Sequence, residues 1–415
     1  MFNVLIPWSL GLFALLCFGT ILSWLTLQYA TGATQREKPS TAESILLRSY
    51  RALIGISSVY YYLSLPLVLL FVLALCGAVL LGVVLLGVIP IKLVVILGMV
   101  VVGSLAAVLK SFWIKTVDLA PGELIDCTHH PVLSKMLYEL AQTLQTARPT
   151  KIYITQGADA AVYEEGGVWA HLRGKSTRCL IIGLALVEGL TMDELRSILA
   201  HEYGHFRNKD TAGGHLALSV RRAMFRTINV LIDHGVGNMS PLWWFTQGYY
   251  KLFMRISQGA SRLQEILADR TAAQTCGSHV FASALKRSIA QANRFELSVD
   301  SVLNDAFEGK YAISNLYAQA RIAEIDGSKI EALTTEEIAR LPSMYDSHPS
   351  PQQRIALVNS LNVAQATQSD TRPASEIFSN GLELQLKMTR TILDSIEART
   401  GKDLSTVAVP EGLPH

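Results

Sequence analysis

His201-Glu202-Tyr203-Gly204-His205 is the stretch whose reading decides this chain. On a helix, positions i and i+4 lie one turn apart on one face, so His201 and His205 can aim two imidazole nitrogens at a single Zn²⁺, at about 2.0–2.1 Å each. Glu202 then sits beside that point, placed to take a proton from water activated by the metal. The competing reading is a solvated His/Glu face on an ordinary helix. The flanking residues decide against it. Thr191 followed by Glu194 is a capping box, which marks a helix start. Leu195, Ile198 and Leu199 then form an apolar stripe that must face a core, so the two histidines ride on a buried, rigid element. Gly204 allows another element to approach this helix closely.

Upstream, Lys151–Thr155, Ala161–Tyr163, Val168–Ala170 and Cys179–Ile182 read as short strands, the middle two joined across Gly166-Gly167. A small sheet leading into a metal-binding helix is the layout of zincin-type enzymes. The fold class expected is α+β: N-terminal transmembrane helices, then a mainly helical zincin-type domain with a small β-sheet.

Of 415 residues, 50% are hydrophobic and only 17% charged, and the mean hydropathy is +0.30, too apolar for an ordinary soluble enzyme. The excess sits near the N-terminus. Leu5 to about Tyr29 is uncharged, and Tyr60 to about Phe112 contains only Lys92 and Lys110, at its turn and its end. About 20 apolar residues cross a ~30 Å hydrocarbon core, so the second block is long enough for two helices turning near Gly87 to Lys92. Three membrane spans follow. The first has no Lys or Arg ahead of it and no small-residue cleavage site, the pattern of a retained signal anchor. Arg36, Lys38, Arg48 and Arg51 outnumber Glu37 and Glu43 between the first and second spans, and Lys110 and Lys115 follow the third. The positive-inside rule then puts the N-terminus outside and everything after about residue 115 in the cytoplasm, as in a bacterial inner (plasma) membrane protein.

A net charge of +2 without a basic stripe gives no case for nucleic acid. Cys17, Cys76, Cys127, Cys179 and Cys276 are scattered without CxxC spacing, as suits thiols in a reducing compartment. The organisation expected is a membrane region over 1–115, a catalytic domain over 116–362 and a linker with a C-terminal helix over 363–415. Residues from about 116 to 150 read as helical. The insertion at about 212–258 carries Arg221, Arg222 and Arg226 and then Trp243, Trp244, Tyr249 and Tyr250, and reads as amphipathic helices lying at the membrane surface. Phe295 to Met344 is long and polar and reads as a surface loop. His129, His130, His171, His215, His234 and His279 lack metal spacing and are expected to be structural or solvated.

A catalytic zinc site needs a third protein ligand and an open position. Glu265 and Asp269 lie one turn apart on an expected helix, so one carboxylate can reach the metal while the other accepts a hydrogen bond from a ligand imidazole. A solvated acidic face with Arg262 and Arg270 is the alternative. Paired with the upstream histidines, Glu265 is the expected third ligand, and Asp269 the residue behind an imidazole.

His201-Glu202-x-x-His205 followed by Glu265-x-x-x-Asp269, behind N-terminal membrane helices, resembles the HtpX-like membrane metallopeptidases and their relatives, the CAAX prenyl proteases. Asp210 falls where that family commonly has an Asp, and Ser347-His348-Pro349-Ser350 with Arg354-Ile355 resembles its late His-Pro and Arg-Ile segment. The resemblance covers roughly residues 130–360. It implies that His348 and Arg354 face the cleft and stabilise the oxyanion or hold the substrate backbone. Where the family often has Asn-Ala-Phe on the substrate-aligning strand, this chain has Asp159-Ala160-Ala161, which implies a groove that differs there.

The activity implied is zinc-dependent endoproteolysis with one Zn²⁺ per chain, Glu202 acting as base, on unfolded or membrane proteins at the lipid bilayer. Two rivals stand beside it. One is a zinc-binding membrane sensor or scaffold without hydrolysis. The other is a prenyl-protein processing protease, which predicts several more membrane spans.

Overall fold

Three long helices hold most of the chain's apolar excess: α1 (Phe2–Gly32), α2 (Thr41–Leu85) and α3 (Ile91–Phe112). They are seen in a computed structural model that describes all residues except 1, 33–40, 88–89, 113–120, 166–176, 208–210, 342–345, 347, 366–368 and 406–415. Each contains a stretch long and apolar enough to cross a membrane, Ile6–Thr26, Ile45–Leu85 and Ile91–Phe112. Their outer faces stay apolar, with Phe13, Phe18, Leu63 and Leu70 all more than half exposed, a surface that lipid stabilises and water does not. The chain is thus an integral membrane protein by the length and composition of these helices.

After α3 come β1 (Glu123–Ile125), α4 (Pro131–Leu144), β2 (Lys151–Thr155), β3 (Ala160–Glu165), β4 (Thr177–Gly183), α5 (Leu184–Gly189), α6 (Met192–Arg207), α7 (Thr211–Asp233), α8 (Pro241–Cys276), α9 (Ser278–Phe307), α10 (Leu316–Ile322), α11 (Gly327–Ala339), α12 (Pro351–Leu361) and α13 (Gly381–Thr400). The sheet runs β1-β2-β4-β3, with β2 and β4 parallel and both outer strands antiparallel to their neighbours. Ile152 and Ile154 pair in register with Leu180 and Ile182, so four apolar side chains enter the domain core from adjacent strands. Gly183 at the β4–α5 junction must be glycine, because a Cβ there would lie 2.2 Å from the Gly157 carbonyl oxygen.

Several expectations are corrected by tertiary packing. The stretch from 116 to 150 is not wholly helical; Glu123–Ile125 pairs with Ile152–Ile154, a strand too short to show periodicity. The expected strand at Val168–Ala170 and its turn at Gly166-Gly167 lie outside the described residues. The segment at 212–258 is helical, as expected, and packs on the membrane helices. It forms α7 and the first part of α8, which is one 36-residue helix. α7 packs on α2 and α3, and α8 on α1 and α2. Tyr61 meets Thr227 (3.2 Å), Ser104 meets Ser240 (2.9 Å), and the Tyr249 hydroxyl donates to the Ser57 carbonyl (2.6 Å). Val220, Met224, Leu231, Phe253 and Ile256 bury their side chains in that bundle while Arg222 stays exposed, so the amphipathic pattern reflects helix-on-helix packing.

The polar stretch from 295 to 344 is mostly helix rather than loop. The end of α9 buries Val302 and Ala306 against Ile313, Leu316, Leu393 and Leu404, a small second core whose polar outer faces hide it in the sequence. The linker-like stretch after 363 is also tied down. Asp193, at the start of α6, accepts hydrogen bonds from Gln365 Nε2 (2.9 Å), Ser369 Oγ (3.2 Å) and the Asp370 amide (2.8 Å), and Thr191 bridges to Pro373. The last helix, α13, docks through Leu384 and Met388 as its pattern predicts.

Candidate metal centre

The metal-motif helix α6 is fixed at its start by the capping box: the Thr191 amide donates to Glu194 Oε2 (2.9 Å) and the Glu194 amide to Thr191 Oγ1 (3.4 Å). Leu195, Ile198 and Leu199 enter the domain core, and the buried Tyr203 hydroxyl donates to the Leu137 carbonyl on α4 (3.1 Å). On the opposite side α6 crosses α8 at Gly204. A Cβ at that position would lie 3.0 Å from Ala268 Cα and 3.3 Å from Thr271 Cβ, so the glycine sets how near the two helices come. That approach brings Glu265 to the histidines.

His201 Nε2 and His205 Nε2 are 3.3 Å apart. Glu265 completes the triangle, with Oε2 3.4 Å from His201 Nε2 and Oε1 3.5 Å from His205 Nε2. A tetrahedral ion bound at about 2.0–2.1 Å would set neighbouring donors about 3.3–3.4 Å apart, which is the spacing of the two imidazole nitrogens and of His201 Nε2 from Glu265 Oε2, while His205 Nε2 approaches the other carboxylate oxygen. Glu265 Oε2 is buried and accepts no hydrogen bond; its nearest cationic or imidazole neighbours, His201 Nε2 and Arg354 Nη2, stand off at 3.4 and 3.5 Å, which leaves it able to take a closer cation. The residues present therefore fit a zinc ion, with one position of the tetrahedron left open.

Behind His201, Asp269 Oδ1 lies 3.0 Å from Nδ1. That contact puts the ring proton on Nδ1 and turns the Nε2 lone pair toward the centre. Asp269 is completely buried, and Arg354 supplies its counter-charge: Nε donates to Oδ2 (2.9 Å) and Nη2 to Oδ1 (2.6 Å), a bidentate pair. Its guanidinium is engaged with Asp269 and lies 3.5 Å from Glu265 Oε2, while the side chain also borders the cavity beside the centre. A fully buried carboxylate needs a charged partner more than the cleft does.

His348 is placed differently. Its side chain is 59% exposed, and Nδ1 lies 3.0 Å from Glu265 Oε1. It borders, with Arg340, Asp346 and Arg354, a cavity of about 310 Å³ beside the centre. Asp210 lies outside the described residues. Phe281 on α9, for which the sequence carries no signal, stacks on the His201 ring with centroids 5.6 Å apart at 22°.

Burial opposes a charge on His201, but the Asp269 and Glu265 carboxylates outweigh it and favour the charged form, so a cation taking the Nε2 lone pair would do so by displacing a proton. Burial pushes Glu265 and Asp269 up, yet His201 and His348 on the first, and Arg354 and His201 on the second, hold both below the ordinary carboxylate range. Glu202 goes the other way: burial raises it, only partly offset by His201 and His205. Among the described residues its carboxylate accepts no hydrogen bond. A buried, proton-seeking carboxylate beside a metal triangle is the arrangement a metallopeptidase requires.

Residues 135–362 match the model of peptidase family M48. The chain belongs to that family, in the HtpX-like and CAAX-protease branch that its motifs indicate, and with its apolar N-terminal helices it is a membrane metallopeptidase. No solved structure matches it.

Proposed function

We propose that this protein is a membrane-bound zinc endopeptidase that cleaves extended segments of unfolded or membrane proteins. The observation that carries the reading is the convergence of His201, His205 and Glu265 within ligand distance of one point, with Glu202 next to them on the same helix as the histidines. A zinc ion held by His201, His205 and Glu265 would supply Lewis-acid chemistry, lowering the pKa of water toward about 7 and polarising a peptide carbonyl.

Glu202 takes the proton released as water attacks and returns it to the leaving amine; its raised affinity for protons suits both transfers. Asp269 holds the His201 ring, and Arg354 holds Asp269. His348, on the exposed side of Glu265, is placed to donate to the oxyanion that develops on the substrate. Among the described residues β3 pairs only with β4, so its other edge can take a substrate as an added strand. Strand addition reads backbone rather than side chains, which favours unfolded segments. The basic residues after the first and third spans support a domain on the cytoplasmic side of a bacterial inner membrane.

The test is cleavage of an unfolded model protein by the purified chain with zinc, and by its Glu202→Gln variant. Cleavage that depends on Glu202 supports the reading. Zinc binding with no such cleavage leaves a sensor or scaffold, and cleavage confined to prenylated peptides leaves the prenyl-protein protease. A reporter fused at the C-terminus checks the orientation, with a periplasmic signal contradicting it.

A further inference from the structure

The membrane helices and the metal-bearing domain meet at an ion pair that is no part of the His201–His205–Glu265 triangle. Arg270 Nη1 donates to Glu43 Oε1 at 2.9 Å, across 227 residues of chain, and the two side chains are only 4% and 2% exposed. Glu43 lies in the first turn of α2, just before the apolar stretch Ile45–Leu85 begins. Arg270 follows Asp269 directly on α8 and comes one turn and a half after Glu265. At 3.6 residues per turn that spacing carries the side chain about 140° around the helix, so Arg270 leaves α8 on the side away from Glu265 and its histidines.

Other contacts clamp the same part of α8. Tyr50, two turns beyond Glu43 on α2, is buried, and its hydroxyl oxygen would lie 2.4 Å from a Cβ on Gly259. Gly259 and Arg270 are separated by three turns of α8 to within about 20°, so both lie on the stripe that faces α2. The Tyr50 hydroxyl also meets Thr26 Oγ1 at 2.6 Å, where the apolar stretch of α1 ends. On another face Gly204 brings α6 against Ala268 and Thr271. The part of α8 that carries Glu265 and Asp269 is therefore held between the metal-motif helix and the junction of α1 with α2.

We propose that Glu43 is a positioning residue of the metal centre: through Arg270 it sets the rotation of α8 about its own axis, and with it the point at which Glu265 meets His201 and His205. The inference rests on reading that triangle as a metal site. A carboxylate ~5–6 Å from a helix axis moves about 1 Å when the helix turns by about 10°, and a metal or catalytic constellation tolerates roughly half that. Apolar side chains hold two helices together without fixing one rotation so narrowly, whereas a guanidinium and a carboxylate bond in a set direction. An ion pair buried this deeply adds little net stability over apolar side chains of the same volume, so direction is what it contributes.

The experiment uses the full chain in detergent, freed of metal by a chelator and then titrated with Zn²⁺ for affinity and with Co²⁺, whose visible absorption follows ligand geometry. Each measurement is made well below the melting temperature of the variant concerned, so that loss of fold does not enter. Glu43→Gln and Arg270→Gln should each weaken zinc binding about tenfold and shift the cobalt bands. The double variant Glu43→Leu with Arg270→Met keeps the volume and removes the direction; it should melt close to the wild type and still show the weaker binding and the shifted bands. Wild-type affinity and bands in that double variant overturn the proposal, because packing alone would then suffice. Unchanged bands in both single variants overturn it as well. If the single variants do not fold, the double variant decides. A wild-type chain that takes up neither metal would instead overturn the metal-site reading, and this inference with it.

Discussion

Arg354 grips both oxygens of Asp269, Nε on Oδ2 at 2.9 Å and Nη2 on Oδ1 at 2.6 Å, 85 residues away in sequence and completely out of water on the Asp269 side. The pair ties α12 to α8 directly behind the His201 ring, so the late Arg-Ile segment supports the metal helices from behind.

Removing the guanidinium strands a buried carboxylate. Breaking such a pair costs ~3–5 kcal/mol, so Arg354→Ala should lower the melting temperature markedly and weaken zinc affinity by about 10–100-fold, as loss of a residue behind a ligand does. Arg354→Lys keeps the charge without the fork and should fall between. Thermal unfolding and zinc titration read both. An Ala variant with wild-type stability and zinc content that loses only kcat would return Arg354 to the substrate.

The triangle predicts which substitutions empty the site. His201→Ala, His205→Ala and Glu265→Ala should each abolish stoichiometric zinc, measured by elemental analysis of the purified protein, because two protein donors rarely hold the ion. Glu202→Gln should keep it and lose turnover. Full zinc in Glu265→Ala would break the third-ligand assignment.

For His348, exposure and the 3.0 Å contact with Glu265 Oε1 predict an effect on the transition state. His348→Ala should keep zinc and fold while kcat and kcat/KM fall together, by about 10²-fold. Loss of zinc would make His348 a ligand instead.

Gly204 tests the spacing of the helices. Gly204→Ala gains up to ~1 kcal/mol of helix propensity against a Cβ 3.0 Å from Ala268 Cα, so its net effect on stability should be small. Gly204→Leu must push α6 from α8, at ~1–3 kcal/mol for overpacking, and should weaken zinc binding because the histidines and Glu265 sit on opposite sides of that contact. Unchanged zinc affinity in the Leu variant would show that the helix spacing does not govern the centre.

The parts of the fold that are legible in the amino-acid sequence are local ones. The capping box at Thr191 and Glu194, the apolar stripe of α6 and the three long apolar segments are patterns within single helices, and each has its expected form. The departures share a different cause. The insertion at 212–258 has the alternation of a helix half in water, but that pattern does not say whether its apolar face meets lipid or another helix, and here it meets α1–α3. The segment from 295 to 344 reads as a loop because its buried side chains face partners far away in sequence, Leu393 and Leu404 among them.

The sequence by itself determined that two imidazoles and a carboxylate share one helical turn, because i and i+4 geometry is set by the helix alone. It also determined that α1–α3 seek lipid, since length and uncharged composition settle that preference. What only the tertiary structure decided is which distant groups face one another. Glu265 meets the histidines because Gly204 lets α8 come close, and Arg354 turns inward because the buried Asp269 demands a countercharge. Those outcomes depend on the depth of burial and on shape across long loops, and neither is encoded in spacing along the chain.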